Sequence, residues 1–107
     1  MRDQYNCEDS NIIYMIECNK DQCNQRYIGE GKRKLKHRLA EHIGYIKSNI
    51  DSQPTGWHFN LPGHSLHNLT VTVIEKEKKL DTLYRKERES YLIKKFDTYR
   101  NGMNRQP

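Results

Sequence analysis

Cys18 and Cys23 flank a four-residue turn, and His58 and His64 flank five residues that include Pro62-Gly63. Two thiolates and two imidazoles suit tetrahedral Zn²⁺, and both spacings are close to those of structural zinc sites. The pairs lie too far apart for a ββα finger, so the chemistry they offer is a zinc clasp on some other fold. Such a clasp would add folding free energy to a small domain poor in core residues. The plainer reading is two ordinary thiols and two surface histidines, with Cys7 and His67 as further candidates.

A second set consists of polar residues on stripes that should be apolar. At about 100° per residue, Arg38 and His42 fall within the arc defined by Leu35, Leu39 and Ile46, one helical turn apart. Burying an arginine is costly unless it meets an anion. Otherwise Arg38 snorkels to the rim and His42 bonds a backbone carbonyl. Glu89 shares a stripe with Leu92, Ile93 and Phe96; it should pair with Arg85 or Arg88, or bind a metal. Ahead of Arg38 lie Lys32, Arg33, Lys34, Lys36 and His37, following Gly29-Glu30-Gly31. That run suits phosphate contacts, or else is a solvated helix face.

The elements that must position these groups follow from periodicity. Ile12–Ile16 reads as a strand ending near Cys18, and Arg26–Ile28 as a second strand halted by Gly29, most simply as an antiparallel hairpin. Leu35, Leu39, Ile43, Ile46 and Ile50 mark an amphipathic helix over 33–50. Residues 51–68 read as a loop with few apolar residues that only the clasp would order. Leu69–Ile74 is a third strand. Asp81–Asp97 is a second long helix with Leu80, Leu83, Tyr84, Leu92, Ile93 and Phe96 as its apolar set. Residues 1–10 are expected to be frayed or disordered, and 11–107 to form one domain. The order β-β-α-β-α defines an α+β domain.

The 107 residues carry 34% hydrophobic and 31% charged residues and a formal charge of +5, which favours a polyanionic partner. The longest apolar run, Ile12–Ile16, is far too short to cross a membrane, and no secretory signal follows Met1. An intracellular, reducing setting is therefore expected, where an odd cysteine count points to free or metal-bound thiols.

Together these residues resemble a GIY-YIG endonuclease domain. Ile12-Ile13-Tyr14 stands where the family has its first triplet, and Tyr27-Ile28-Gly29 matches the second. Arg38 and His42 are similar to the Arg and His of the family's first helix, Glu89 to its metal-binding glutamate and Asn104 to its terminal asparagine. The resemblance spans residues 11–104. Ile12 replaces the family's glycine, as in the version found in Penelope-like retroelements, which also carries an inserted Cys pair and a later His pair. The resemblance implies a small three-stranded antiparallel sheet flanked by helices and metal-dependent hydrolysis of DNA phosphodiesters. Its implied catalytic residues are Tyr14, Tyr27, Arg38, His42 and Glu89, with Glu89 holding Mg²⁺ or Mn²⁺ and Zn²⁺ serving a structural role. Gly29, Lys32, Arg33, Lys34, Lys36 and Asn104 are the expected DNA contacts. A reverse transcriptase partner and a nuclear location go with that branch. A zinc-stabilised nucleic-acid-binding module without catalysis is the rival reading, but it gives Arg38, His42 and Glu89 no purpose.

Overall fold

In the computed structural model, residues 10–76 and 82–105 are described. Cys7, nearly all of the expected frayed start, and the Leu80-Asp81 beginning of the last helix lie outside them. The branched run becomes the central strand β1 (Ile12–Cys18). It pairs antiparallel with β2 (Arg26–Gly31) on one side and with β3 (Leu69–Lys76) on the other, in the order β2-β1-β3. The expected three-stranded antiparallel sheet and α+β class are thus borne out.

Alternation along β1 feeds two cores, one on each face. Ile12, Tyr14, Ile16 and Cys18 point to a core shared with Leu35 and Ile46 of α1 (Leu35–Lys47), and with Phe59 and Met103. Ile13 and Ile28 point the other way, against Leu92 and Ile93 of α3 (Thr82–Lys95). With the sheet covered on both faces, β1 has almost no solvent-facing side.

Several expectations require correction. Gly29 does not halt the second strand, which runs on to Gly31; the reason lies in the site described below. α1 stops at Lys47 because Asn49 takes a left-handed φ of 54° and turns the chain, leaving Ile50 exposed outside the stripe. On α3, Leu83 (68% exposed) and Tyr84 face solvent, and the buried residue of that first turn is Arg85. Its guanidinium donates to Glu30 Oε1 at 2.6 Å and to Asn11 Oδ1 at 3.2 Å, so a salt bridge rather than apolar contact seats this end of α3 on β2.

The segment 51–68 is also more ordered than its composition implies. It contains a short helix, α2 (Pro54–His58), and a 3-10 turn at Leu66–Asn68. Gly56 is why α2 can sit against the end of α1: a Cβ there would lie 2.2 Å from the Ile50 carbonyl oxygen. Asn60 Nδ2 then donates to the carbonyls of Ile46 (3.0 Å) and Gly56 (2.7 Å), and Phe59 enters the core. Packing and hydrogen bonds hold this segment, in addition to anything its histidines bind.

Candidate active site

Register sets the centre of the site. Tyr14 lies opposite Gly29 and Ile12 opposite Gly31, so the two glycines share the face to which Tyr14 points. A Cβ at Gly29 would lie 2.4 Å from Tyr14 Cζ, and one at Gly31 would lie 2.9 Å from Arg38 Cγ. These glycines are therefore not turn residues but two recesses in a continuing strand. One takes the Tyr14 ring and the other the Arg38 stem, which brings strand and helix side chains together.

His42, buried on α1, is held at both ring nitrogens. Nε2 lies 2.9 Å from Tyr14 Oη, and Nδ1 lies 2.7 Å from Thr55 Oγ1 on α2. The expected backbone-carbonyl partner is replaced by two hydroxyls. The rings of Tyr14, Tyr27 and Tyr45 stand edge-on to the imidazole at centroid distances of 5.9, 5.4 and 5.8 Å. Burial, reinforced by the Arg38 cation, lowers His42 to about 4, so the ring is neutral at physiological pH. Burial likewise holds the Tyr14 phenol well above its ordinary range, Tyr27 adding and Arg38 opposing. Even from tyrosine's usual value of about 10, handing the proton to His42 would cost roughly 8 kcal/mol. Tyr14 and His42 form a neutral hydrogen-bonded pair.

Arg38 meets Glu41 through Nη1, and Glu41 also takes Arg33, one member of the basic run. The Arg38 Nε is buried and has no hydrogen-bond partner. A buried guanidinium donor without an acceptor suits a phosphate oxygen. Of the rest of the run, Lys32, Lys34 and Lys36 are exposed around the β2–α1 turn, with Lys34 at the N-cap of α1.

Glu89 approaches from the opposite face, on α3. Arg85 is bonded to Glu30 and Arg88 to Glu75, so among the described residues neither expected arginine forms a salt bridge with it. Glu89 lines a cleft of ≈ 330 Å³ with Tyr27, Gln53, Pro54, Ile93, Asn104 and Arg105. Burial first, and the Glu30 carboxylate second, raise Glu89 to about 7, against the pull of Lys86, Arg38 and Arg85. The same Glu89 charge, after burial, raises Tyr27. A part-buried carboxylate lacking a paired cation is a fitting hard ligand for a divalent ion. Asn104 stands at the cleft edge with its amide engaged on β2: Ile28 N–H donates to Oδ1 (2.7 Å), and Nδ2 donates to the Ile28 carbonyl (2.9 Å).

The Cys/His set assembles on the Tyr14 face of the sheet, at the Cys18 end of β1. The ligand atoms of Cys18, Cys23, His58 and His64 all lie within 4.8 Å of one another, and Cys23 Sγ is 3.5 Å from His58 Nε2. His67 is exposed and outside the group. Both cysteines are free thiols. His64 Nδ1 donates to the Pro62 carbonyl at 3.3 Å, which leaves Nε2 as an acceptor, buried and without a partner. Burial, and then His64, lowers His58 to about 4. Two imidazoles and two thiols at this separation fit a tetrahedral ion, and the unpartnered His64 Nε2 is the atom such an ion would satisfy.

The sequence reading missed Thr55, the recesses at Gly29 and Gly31, and the Glu30–Arg85 bridge. No helix of the described residues is long and apolar enough to cross a membrane. Comparison with curated proteins and with solved structures returned no match. The family model described as the GIY-YIG catalytic domain matches residues 10–104, which takes in both strand triplets, the Arg38–His42 helix, Glu89 and Asn104. The chain therefore belongs to the GIY-YIG catalytic domain family, whose domain implies nuclease activity on DNA.

Proposed function

We propose that this domain hydrolyses DNA phosphodiesters with a divalent metal ion, Mg²⁺ or Mn²⁺, held by Glu89. The observation that carries this reading is convergence: Tyr14, Tyr27, Arg38, His42 and Glu89 come from β1, β2, α1 and α3 to one corner of the sheet. When bound, such an ion supplies Lewis-acid polarisation of the phosphate and lowers the pKa of water. Arg38 presents its unpartnered Nε–H to a scissile phosphate oxygen, offsetting charge that grows in the transition state. Tyr14 and Tyr27 stay protonated at neutral pH and orient the attacking water rather than deprotonate it. Lys32, Arg33, Lys34 and Lys36 extend the cationic surface along which the DNA backbone lies, Gly29 seats Tyr14, and Asn104 holds the cleft edge.

Cys18, Cys23, His58 and His64 bind Zn²⁺ structurally in this proposal, with all four positions filled by protein. Their places in the chain match those of the Penelope-like version, which supports retroelement integration, a reverse transcriptase partner and a nuclear setting as the biological role. Plasmid nicking with Mg²⁺ tests the activity. Glu89→Ala and Arg38→Ala, if folded, should each lower the rate by about a hundredfold or more, the loss of roughly 3 kcal/mol of charge stabilisation. Near-normal nicking by either variant would remove its residue from the assignment.

A further inference from the structure

Thr55 is fully buried on the five-residue helix α2, and its hydroxyl oxygen lies 2.7 Å from the Nδ1 of His42. A neutral imidazole has one N–H and one bare nitrogen, and the partner at one nitrogen decides the state of the other. Both His42 partners are hydroxyls, which can donate or accept, so the pair alone leaves two arrangements open. Arg38 breaks the symmetry. Its stem packs at Gly31 beside the Tyr14 ring at Gly29, and guanidinium can only donate, so the Tyr14 oxygen faces a cationic donor on that side. The tyrosine proton then turns to the acceptor on its other side, His42 Nε2 at 2.9 Å. With Nε2 accepting, a neutral His42 carries its own proton on Nδ1, and Thr55 Oγ1 receives it.

We infer that Thr55 is a positioning residue: by accepting the Nδ1–H of His42 it fixes the tautomer that lets Nε2 hold the Tyr14 hydroxyl hydrogen, leaving the phenol oxygen's lone pairs to face the Arg38 guanidinium. The placement is built in. Gly56 and Asn60 lock α2 onto the end of α1, Pro54 starts the helix, and Phe59 anchors its far end in the core. Thr55 is therefore held by parts of the chain that take no part in the chemistry. A threonine used only for packing would need no such bond, because valine fills nearly the same volume.

The inference rests on the nuclease reading for its catalytic meaning, but its central claim concerns the free protein. The test is ¹⁵N NMR of the His42 imidazole in the full chain, with Thr55→Ser and Thr55→Val beside the wild type. Wild type and Thr55→Ser should carry the proton on Nδ1 with Nε2 bare, whereas Thr55→Val should move the proton toward Nε2. In nicking assays kcat should fall about ten- to hundredfold in Thr55→Val, the range for losing an outer group that orients a functional one. KM for DNA should stay unchanged, and Thr55→Ser should recover the rate. A wild-type His42 protonated on Nε2 would overturn the proposal even if Thr55→Val fails to fold. A Thr55→Ser variant that is folded but as slow as Thr55→Val would overturn it as well. Failure of the wild type to nick DNA would count against the nuclease reading, while the tautomer measurement would still decide this one.

Discussion

Glu89 offers the most direct test of how the site trades stability for chemistry. Its carboxyl is raised from 4.5 to about 7 in the folded chain, by burial and then by Glu30. An acid with a raised folded value stabilises the fold below pH 4.5 and loses that contribution as pH rises through 7. Full ionisation would cost about 3 kcal/mol at 1.4 kcal/mol per pH unit. Glu89 is only part-buried and lines an open cleft, so solvent screening reduces this to about 1–2 kcal/mol. Glu89→Gln keeps the shape and removes the charge. Each kcal/mol moves the midpoint of a domain this size by roughly 4–8 °C, so the variant should melt roughly 5–10 °C above wild type at pH 8.5. At pH 5 the advantage should shrink to about a quarter. Adding Mg²⁺ at pH 8.5 should raise the wild-type midpoint and leave Glu89→Gln unmoved. Thermal melts at the two pH values, with and without Mg²⁺, read all of this. A variant melting at or below wild type at pH 8.5 would refute the electrostatic account, and equal Mg²⁺ stabilisation of both proteins would refute Glu89 as the ligand.

Gly29→Ala forces a methyl to within 2.4 Å of the Tyr14 ring and should cost about 1–3 kcal/mol; chemical denaturation would show it, and a neutral effect would mean that the recess is not filled as described. His42, lowered from 6.5 to about 4, stabilises the fold fully above pH 6.5 and loses that contribution as pH falls to 4. The stability advantage of wild type over His42→Gln should therefore shrink by about 3 kcal/mol between pH 7 and 4, and a constant difference would contradict a buried neutral ring. Arg85→Met leaves Glu30 part-buried without its main partner and should destabilise by about 3 kcal/mol or more in urea melts. For the zinc proposal, purified protein should contain about one Zn²⁺ per chain; Cys18→Ser should lose it and melt lower, Cys7→Ser should do neither, and metal-free protein indifferent to chelator would exclude the clasp.

Periodicity located the parts of the site that depend on spacing along one element. Arg38, His42 and Glu89 stood out because each occupies an apolar stripe, and a charge or imidazole there demands a partner. The hairpin and the third strand were legible from branched residues and turn chemistry, and the Cys/His set from its ligand types. What escaped depends on distance across the fold. Thr55 sits in a segment without period, and its value comes from a contact thirteen residues back on another helix. Gly29 read as a stop because glycine weakens a strand interior; only the β1–β2 register shows that it and Gly31 each make room for a particular side chain. Arg85 entered the sequence reading only as a possible partner of Glu89, and its burial against Glu30 depends on the second strand's true length.

The short helix α2 carries Thr55 on one turn and His58 on the next, so a single rigid piece reaches both the imidazole at the tyrosine and the cysteine thiols. Damage to those thiols, by oxidation or by stripping a bound ion, pulls on the same piece that sets the hydrogen on His42. Cys18 belongs to the core on the Tyr14 face, whereas the core of Ile13, Ile28, Leu92 and Ile93 on the other face contains neither thiol. A disturbance at the thiols therefore reaches the imidazole beside Tyr14 along one short helix, without passing through the core under α3.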